Sequence, residues 1–121
     1  MANTFKVVTF AAEPASAGTA YKMYTVAGST TTVVLGLVLT NIHSSAVTAE
    51  VELVSDTGSR GGANNVTNGT SFLAKDVNIP AGSSLEVLTG GKVVLETTDY
   101  FTIDCSVADK LSGTLSIMEI T

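Results

Sequence analysis

The side chains that could carry out chemistry in this sequence are few: one histidine, one cysteine and scattered carboxylates. His43 lies in the turn-like segment 41–45. Its imidazole could act there as a general base or a pH switch, although an exposed turn residue is the commoner role of such a histidine. Cys105 shares the apolar face of a predicted strand with Phe101 and Ile103, which predicts a buried thiol that packs as a small apolar group. No second histidine is present to build a zinc site with this cysteine. We therefore predict no catalytic residue, metal site or cofactor, and we do not expect an enzyme.

The alternation along the predicted strands places the carboxylates on the surface. Glu50 and Glu52 share the outward face of one predicted strand, and Asp104 points outward from another. Two such acids could bind Ca²⁺ if nearby loops supplied further oxygen ligands, but the sequence contains no Asp-rich calcium loop. A solvated face, or one side of an ion pair between subunits, is the interpretation we favour.

Composition narrows the possible partners. The chain has 121 residues, a net charge of -5 and only 14% charged residues, whereas an ordinary soluble domain has about a quarter. Six Lys plus Arg are a poor match to nucleic acid, which needs clustered cations. No apolar run approaches the roughly 18 residues of a membrane helix. The first residues lack the basic and apolar segments of a secretory signal, which predicts synthesis in the cytoplasm.

The elements that must position these residues are strands. Val and Thr are abundant, apolar and polar residues alternate with a period of two, and turn signals recur between the alternating runs. This pattern predicts one all-β domain over residues 1–121, an antiparallel β-sandwich or barrel of Greek-key or jelly-roll type with eight to nine short strands. The predicted strands cover residues 5–11, 19–26, 32–42, 46–55, 70–78, 84–88, 91–96, 100–107 and 112–120.

Three connections stand out. The segment 79–83 contains Pro and Gly at a spacing that predicts a sharp turn of the chain. Gly90-Gly91 predicts a hairpin between the strands on either side of it. Residues 56–69 form a long Gly/Asn-rich segment, either a functional loop or, through a type I′ turn at its end, a hairpin arm. Arg60, the only arginine, lies in that segment and is a candidate anchor to a partner.

Two predicted strands are apolar on both faces. Val33, Leu35, Leu37 and Leu39 alternate with Val34 and Val38, and near the C-terminus Leu115 and Ile117 alternate with Met118 and Ile120. The outer face of a sandwich strand in a small monomer is normally polar. Coverage by a loop or arm of the same chain is one explanation, and coverage by another subunit in a homo-oligomer is the one we favour. The candidate interface residues are Val34, Val38, Met118, Ile120 and Arg60.

Five segments together resemble small virion structural proteins of tailed bacteriophages, particularly marine and cyanobacterial phages. They are YTV at 24–26, STTTVVLGLVLTN at 29–41, FLAKDVNIPAGSSL at 72–85, GKVVLE at 91–96 and LSIMEI at 115–120. The resemblance implies a non-enzymatic component of the virion, made in the cytoplasm of a bacterial host. Its partners would be copies of itself and other virion proteins, such as the major capsid protein or tail and neck proteins, with no nucleic acid or membrane.

Within that resemblance, a capsid decoration (cement) protein that binds the major capsid protein is the role we favour. A neck, tail or fibre-attachment protein is the alternative within the particle. A receptor- or carbohydrate-binding β-sandwich is a further alternative, in which Tyr21, Tyr24 or Tyr100 would stack on a ligand.

Overall fold

The computed structural model describes residues 2–55, 69–88 and 92–121, and in these ranges it consists of nine strands and no helix. All nine predicted strands are present, and their ends differ from the predicted ones by only a few residues. The strands are β1 (Asn3–Glu13), β2 (Tyr21–Thr25), β3 (Thr31–Asn41), β4 (Val47–Ser55), β5 (Gly69–Ile79), β6 (Ser84–Glu86), β7 (Val93–Leu95), β8 (Tyr100–Cys105) and β9 (Leu111–Ile120).

The strands form two antiparallel sheets. The larger sheet has the order β1-β9-β3-β6, with β7 also paired to β3, and the smaller sheet has the order β2-β8-β4-β5. Strands β6 and β7 pair with opposite ends of β3 and so lie end to end as two pieces of one strand position. The hairpin predicted between them is therefore wrong, and Gly90-Gly91 itself is outside the described residues. The resulting order is that of a jelly-roll sandwich, which confirms the predicted fold class.

The core lies between the two sheets because one face of each strand is apolar. Leu37, Leu115 and Ile117 of the larger sheet and Phe101 and Ile103 of the smaller sheet are fully buried there. These residues alternate with half-buried or exposed neighbours along their strands, as the period of two requires. The opposite face of each sheet is left for contact with solvent or with other molecules.

The turn at 79–83 follows the sequence prediction. The amide of Ser83 donates to the carbonyl of Pro80 at 3.0 Å, and Gly82 has a φ of 71°. A type II turn needs such a positive φ at its third residue, and glycine adopts it without strain. The turn brings the end of β5 in the smaller sheet to the start of β6 in the larger one. Within the described ranges, no helix is long and apolar enough to cross a membrane.

Candidate functional site

The outer face of the larger sheet carries a row of apolar side chains across four neighbouring strands. Phe5 on β1 lies opposite Met118 on β9, Met118 lies opposite Val33 on β3, and Val33 lies opposite Val94 on β7. Directly opposed residues of antiparallel strands share one face of the sheet. The four side chains therefore form a continuous row from β1 to β7.

Three further apolar residues border this row, and together the seven residues are called the apolar strip. Val7 and Ile120 lie two residues along their strands from Phe5 and Met118, and Leu35 follows Val33 on β3. Phe5 is 71% exposed, Val7 63% and Val94 59%. Large apolar side chains with this much exposure, gathered in one patch, mark surfaces that contact other molecules.

A β-bulge in β3 decides which of its residues face outward. The pairing of β3 with β9 shifts between Val34 and Gly36, so Leu35 is an extra residue that breaks the alternation. Val34 is fully buried, and Leu35 is exposed. The outward face predicted for Val34 is therefore wrong, because the bulge places this residue in the core together with Leu37.

The other predicted interface residues lie on different parts of the molecule. Met118 and Ile120 are half-buried members of the apolar strip. Val38 also faces outward, but its cross-strand neighbours are Thr114 and Glu86, so it lies in a polar half of the same face. Arg60 and residues 56–68 of the predicted loop or arm are outside the described residues.

The other half of this outer face is polar. Exposed apolar side chains are therefore not a general property of the larger sheet. Thr9 and Thr114 oppose each other across β1 and β9. The hydroxyls of Thr40 and Ser84 hydrogen-bond at 3.0 Å. Apolar outward residues are thus concentrated at one end of the sheet, where β1 begins and β9 ends.

A polar cluster lies behind the strip, between the two sheets. The Tyr24 hydroxyl donates to Glu119 Oε2 at 2.7 Å and lies 2.7 Å from Thr32 Oγ1, and Lys6 Nζ pairs with Glu119 Oε1 at 2.6 Å. Burial, reinforced by the neighbouring carboxylate, raises the pKa of Tyr24 to about 12. Hydrogen bonds from Lys6 and Tyr24 lower the pKa of Glu119. The cluster fixes β1 and β9 relative to β2, and so holds the strip in place.

The outer face of the smaller sheet is acidic. Glu50 lies directly opposite Asp104, and Glu52 shares their face, as predicted. Glu50 Oε1 forms an ion pair with Lys75 Nζ at 3.2 Å, and Asp104 Oδ1 accepts hydrogen bonds from the amides of Gly18 at 3.1 Å and Cys105 at 2.8 Å. These contacts give Glu50 and Asp104 structural partners inside the chain.

Glu50 and Asp104 also line a cleft of about 340 Å³ between the β1–β2 connection and strands β4 and β8, and Asp76 of β5 is its third carboxylate. Within the described ranges, no three His, Cys, Asp or Glu side chains are placed to hold one metal ion. Cys105 borders the cleft but is almost fully buried, as the strand pattern predicts. The main-chain amide of His43 donates to Asn41 Oδ1 at 2.8 Å, so the histidine follows β3 in a turn, as predicted.

The three tyrosines considered for ligand stacking have partners within the chain. Tyr21 packs edge-on against Phe10 with ring centroids 5.4 Å apart, and Tyr24 bonds Glu119. The ammonium of Lys22 lies 4.1 Å from the centroid of the Tyr100 ring. The exposed aromatic ring of the apolar strip belongs instead to Phe5.

Sequence reasoning missed the most exposed members of the strip: Phe5, Val7 and Val94. The available signal was the pair Phe5-x-Val7 in the first strand, which places two large apolar groups on one face. Without the pairing partners, however, that face could not be identified as the outer one.

No protein-family model matches this chain, and no curated protein matches it. Two solved structures match this chain. The structure of Bacillus endospore appendages, described as a family of disulfide-linked pili, is 16% identical, with 99% of this chain and 87% of that chain covered and a TM-score of 0.49. The crystal structure of the infectious bursal disease virus VP2 subviral particle is 13% identical, with a TM-score of 0.51. There the match covers 96% of this chain but only 32% of the VP2 chain, so this chain shares its fold with one part of a larger viral protein.

Proposed function

We propose that this chain is a structural component of a tailed-phage virion, a capsid decoration protein that acts by assembly on the major capsid protein. The observation that carries the proposal is the apolar strip, an exposed patch that crosses four strands on one half of one face. The jelly-roll fold shared with part of VP2, a viral particle protein, supports a role in a virion. The proposal includes a non-enzymatic role, location in the virion and synthesis in the bacterial host.

The strip offers enough free energy to matter in an assembly. Burial of a fully exposed Val or Phe side chain contributes about 1.5–3 kcal/mol. Phe5, Val7 and Val94 are 59–71% exposed, so covering these three side chains offers roughly 3–6 kcal/mol before the cost of ordering the partners. The acidic face of the smaller sheet would then remain toward solvent, where its charges stay hydrated.

Binding to empty phage heads tests the proposal. Empty tailed-phage heads assembled from the major capsid protein are mixed with the purified chain and sedimented, and the bound chain is quantified. The double variant F5S/V94S should bind the heads at least about tenfold more weakly than the wild type, because the two exposed apolar side chains at the ends of the row are lost.

A matched control comes from the polar half of the same face. The variant T9S/T114S changes two exposed residues on β1 and β9 and should bind like the wild type. Equal binding of F5S/V94S and wild-type chain would contradict the role of the strip. A wild-type chain that binds purified tails or necks but not heads would instead support the alternative of a neck, tail or fibre-attachment protein.

A receptor- or carbohydrate-binding role is the second candidate, and the carboxylate-lined cleft beside Asp104 is the observation that favours it. Carboxylates can accept hydrogen bonds from sugar hydroxyls, and Gly18 allows close approach of a ligand. A glycan array tests this alternative. Binding that is lost in D76N but kept in F5S/V94S would place the ligand in the cleft and would contradict the assembly proposal.

A further inference from the structure

Within the described residues, strand β1 is an open edge of the larger sheet, and its backbone groups point alternately toward β9 and away from the sheet. The amides of Ala2 and Thr121 each donate to the carbonyl of the other at 2.9 Å. In an antiparallel ladder, every second residue forms such a mutual pair with the neighbouring strand. The even-numbered residues of β1 up to Phe10 therefore bond β9, and the N–H and C=O groups of Asn3, Phe5, Val7 and Thr9 point away from the sheet.

In the described part of the chain, the open side of β1 lacks most of the usual protection of an edge. Natural edges are blunted by charges, prolines, bulges or short length. In the part from Asn3 to Phe10, β1 pairs with β9 without a register shift, and its one charged group, Lys6, pairs with Glu119. Phe5 and Val7 direct exposed apolar side chains to the outer face beside the open backbone groups.

The other edges in the described part of the chain are interrupted. Strand β5 has two register shifts along its pairing with β4 and a positive φ of 49° at Asp76. Strands β6 and β7 have three residues each. Strand β2 has five residues and a shift after Lys22. Among these edges, β1 is the one that offers a long regular ladder to another strand.

We propose that β1 of a second copy of this chain adds to this edge in antiparallel orientation, which makes the larger sheets of two copies continuous. The inference rests on the proposed assembly role and names one of its partners. A two-fold axis at Val7 would place Phe5 opposite Thr9 of the partner subunit and Lys6 opposite Val8 of the partner subunit. The two charged residues of β1, Lys6 and Glu13, would not face like charges in this register.

Continuity of the apolar strip also favours a second copy as the occupant. The strip reaches the open edge at Phe5 and Val7. Pairing of two edges around Val7 therefore joins the strips of both copies into one band that crosses the two-fold axis. A band of doubled length would present a larger apolar surface to a capsid than either copy alone.

Sedimentation velocity from micromolar to millimolar concentration tests the pairing with two variants. The wild type should shift from monomer to dimer as its concentration rises. V7P removes an N–H that points away from β9, and proline is tolerated at such a position of an edge strand. Each dimer would then lose two central hydrogen bonds, and V7P should dimerise roughly tenfold more weakly or worse. V7T keeps the N–H and the branched shape and should dimerise more strongly than V7P.

Amide hydrogen exchange measured by NMR identifies the contact directly. The amides of Lys6 and Val8 should be protected at all concentrations because they bond β9. The amides of Phe5, Val7 and Thr9 should gain protection only at concentrations where the dimer forms. A dimer that forms without this gain in protection would overturn edge pairing. If V94S weakens such a dimer, the contact between the two copies is made by stacked apolar strips instead.

The test separates this inference from the proposed function. A chain that stays monomeric at millimolar concentration but binds phage heads would overturn the pairing and leave the capsid role intact. A chain that dimerises through β1 but binds no part of the particle would support the pairing and contradict the proposed function. Dimerisation by V7P with wild-type affinity would also overturn the inference.

Discussion

The ring of Phe10 lies over Gly113, the residue directly opposite it in the β1–β9 ladder. A Cβ added to Gly113 would overlap the Cε1 and Cζ atoms of that ring. Phe10 also packs edge-on against Tyr21 of the smaller sheet. The missing side chain at Gly113 therefore lets one aromatic ring connect the edge strand of the larger sheet to the first strand of the smaller sheet.

We expect G113A to lower the free energy of unfolding by about 1–3 kcal/mol, because the ring must leave its position or force the backbone apart. Urea denaturation measures the change. G36A is the matched control, since a Cβ at Gly36 meets no atom within 4 Å, and alanine in a strand is no worse than glycine. Equal unfolding midpoints for the two variants would contradict the close packing of Phe10 on Gly113.

Asn41 provides a second prediction. Its buried Nδ2 donates to the carbonyls of Ser45 and Ile79, each at 2.9 Å, and so ties the end of β3 to the turn before β4 and to the end of β5. N41D removes both donors and turns a carboxylate toward two carbonyl oxygens, which we expect to cost about 3 kcal/mol or more.

The same chemical change at Asn78, which is exposed on β5, is the matched control and should stay within about 0.5 kcal/mol. Acid should also narrow the gap between N41D and the wild type, because a protonated carboxyl regains one donor. A gap that is small at neutral pH, or unchanged by acid, would contradict the assigned hydrogen bonds.

The pair of Tyr24 and Glu119 predicts a dependence of stability on pH. The pKa of Glu119 is lowered in the folded chain, so its stabilising effect is complete above its unfolded pKa and is lost as the pH falls through its folded value. At neutral pH, E119Q and Y24F should each lower the free energy of unfolding by about 1–2 kcal/mol, since a hydrogen bond to a charged group is lost and the half-exposed Lys6 adds little.

The difference between the wild type and E119Q should shrink as the pH falls through the lowered folded pKa of Glu119, because the glutamate then becomes neutral like the glutamine. Denaturation curves across this range provide the measurement, and a constant difference from pH 7 to pH 3 would argue against the lowered pKa. T48S, which alters a half-buried strand residue outside the cluster, controls for general effects of acid.

His43 leads to a prediction of no effect. The contact found for it is made by its main-chain amide, which donates to Asn41 Oδ1 and survives substitution of the side chain. H43A should therefore bind phage heads like the wild type and unfold within about 0.5 kcal/mol of it. Loss of head binding, or of a hydrolytic activity present in the wild type, would assign the imidazole a function.

The strand positions could be predicted because alternating Val and Thr and the turn at 79–83 are local signals. The choice of a jelly roll over a barrel could not be predicted, because it depends on which strands pair across long separations in the sequence. Strand β9, for example, lies between β1 and β3. For the same reason the sequence pattern predicts a hairpin where β6 and β7 lie end to end. Two strands with the same local pattern can pair with each other or lie end to end along a third.

The candidate site was predictable only in part. Met118 and Ile120 were identified because they alternate with Leu115 and Ile117 at a regular period. Phe5 and Val94 were missed, since each lies on a strand whose outer face is defined only by its partner. A period-two reading also fails wherever a strand gains one extra residue, as β3 does at Leu35.

Val34 and Val38 provide the test of that extra residue. Both are valines of one strand and were predicted to share the outer face, but the bulge buries Val34 completely and leaves Val38 among Thr114 and Glu86. V34A should cost about 2–3 kcal/mol, because it removes two buried carbons and leaves a cavity, whereas V38A should cost less than about 1 kcal/mol. Urea denaturation of the two variants provides the comparison. If instead V38A proves as costly as V34A, the pairing of β3 with β9 lacks the shift at Leu35, and Val34 returns to the outer face as a member of the interface.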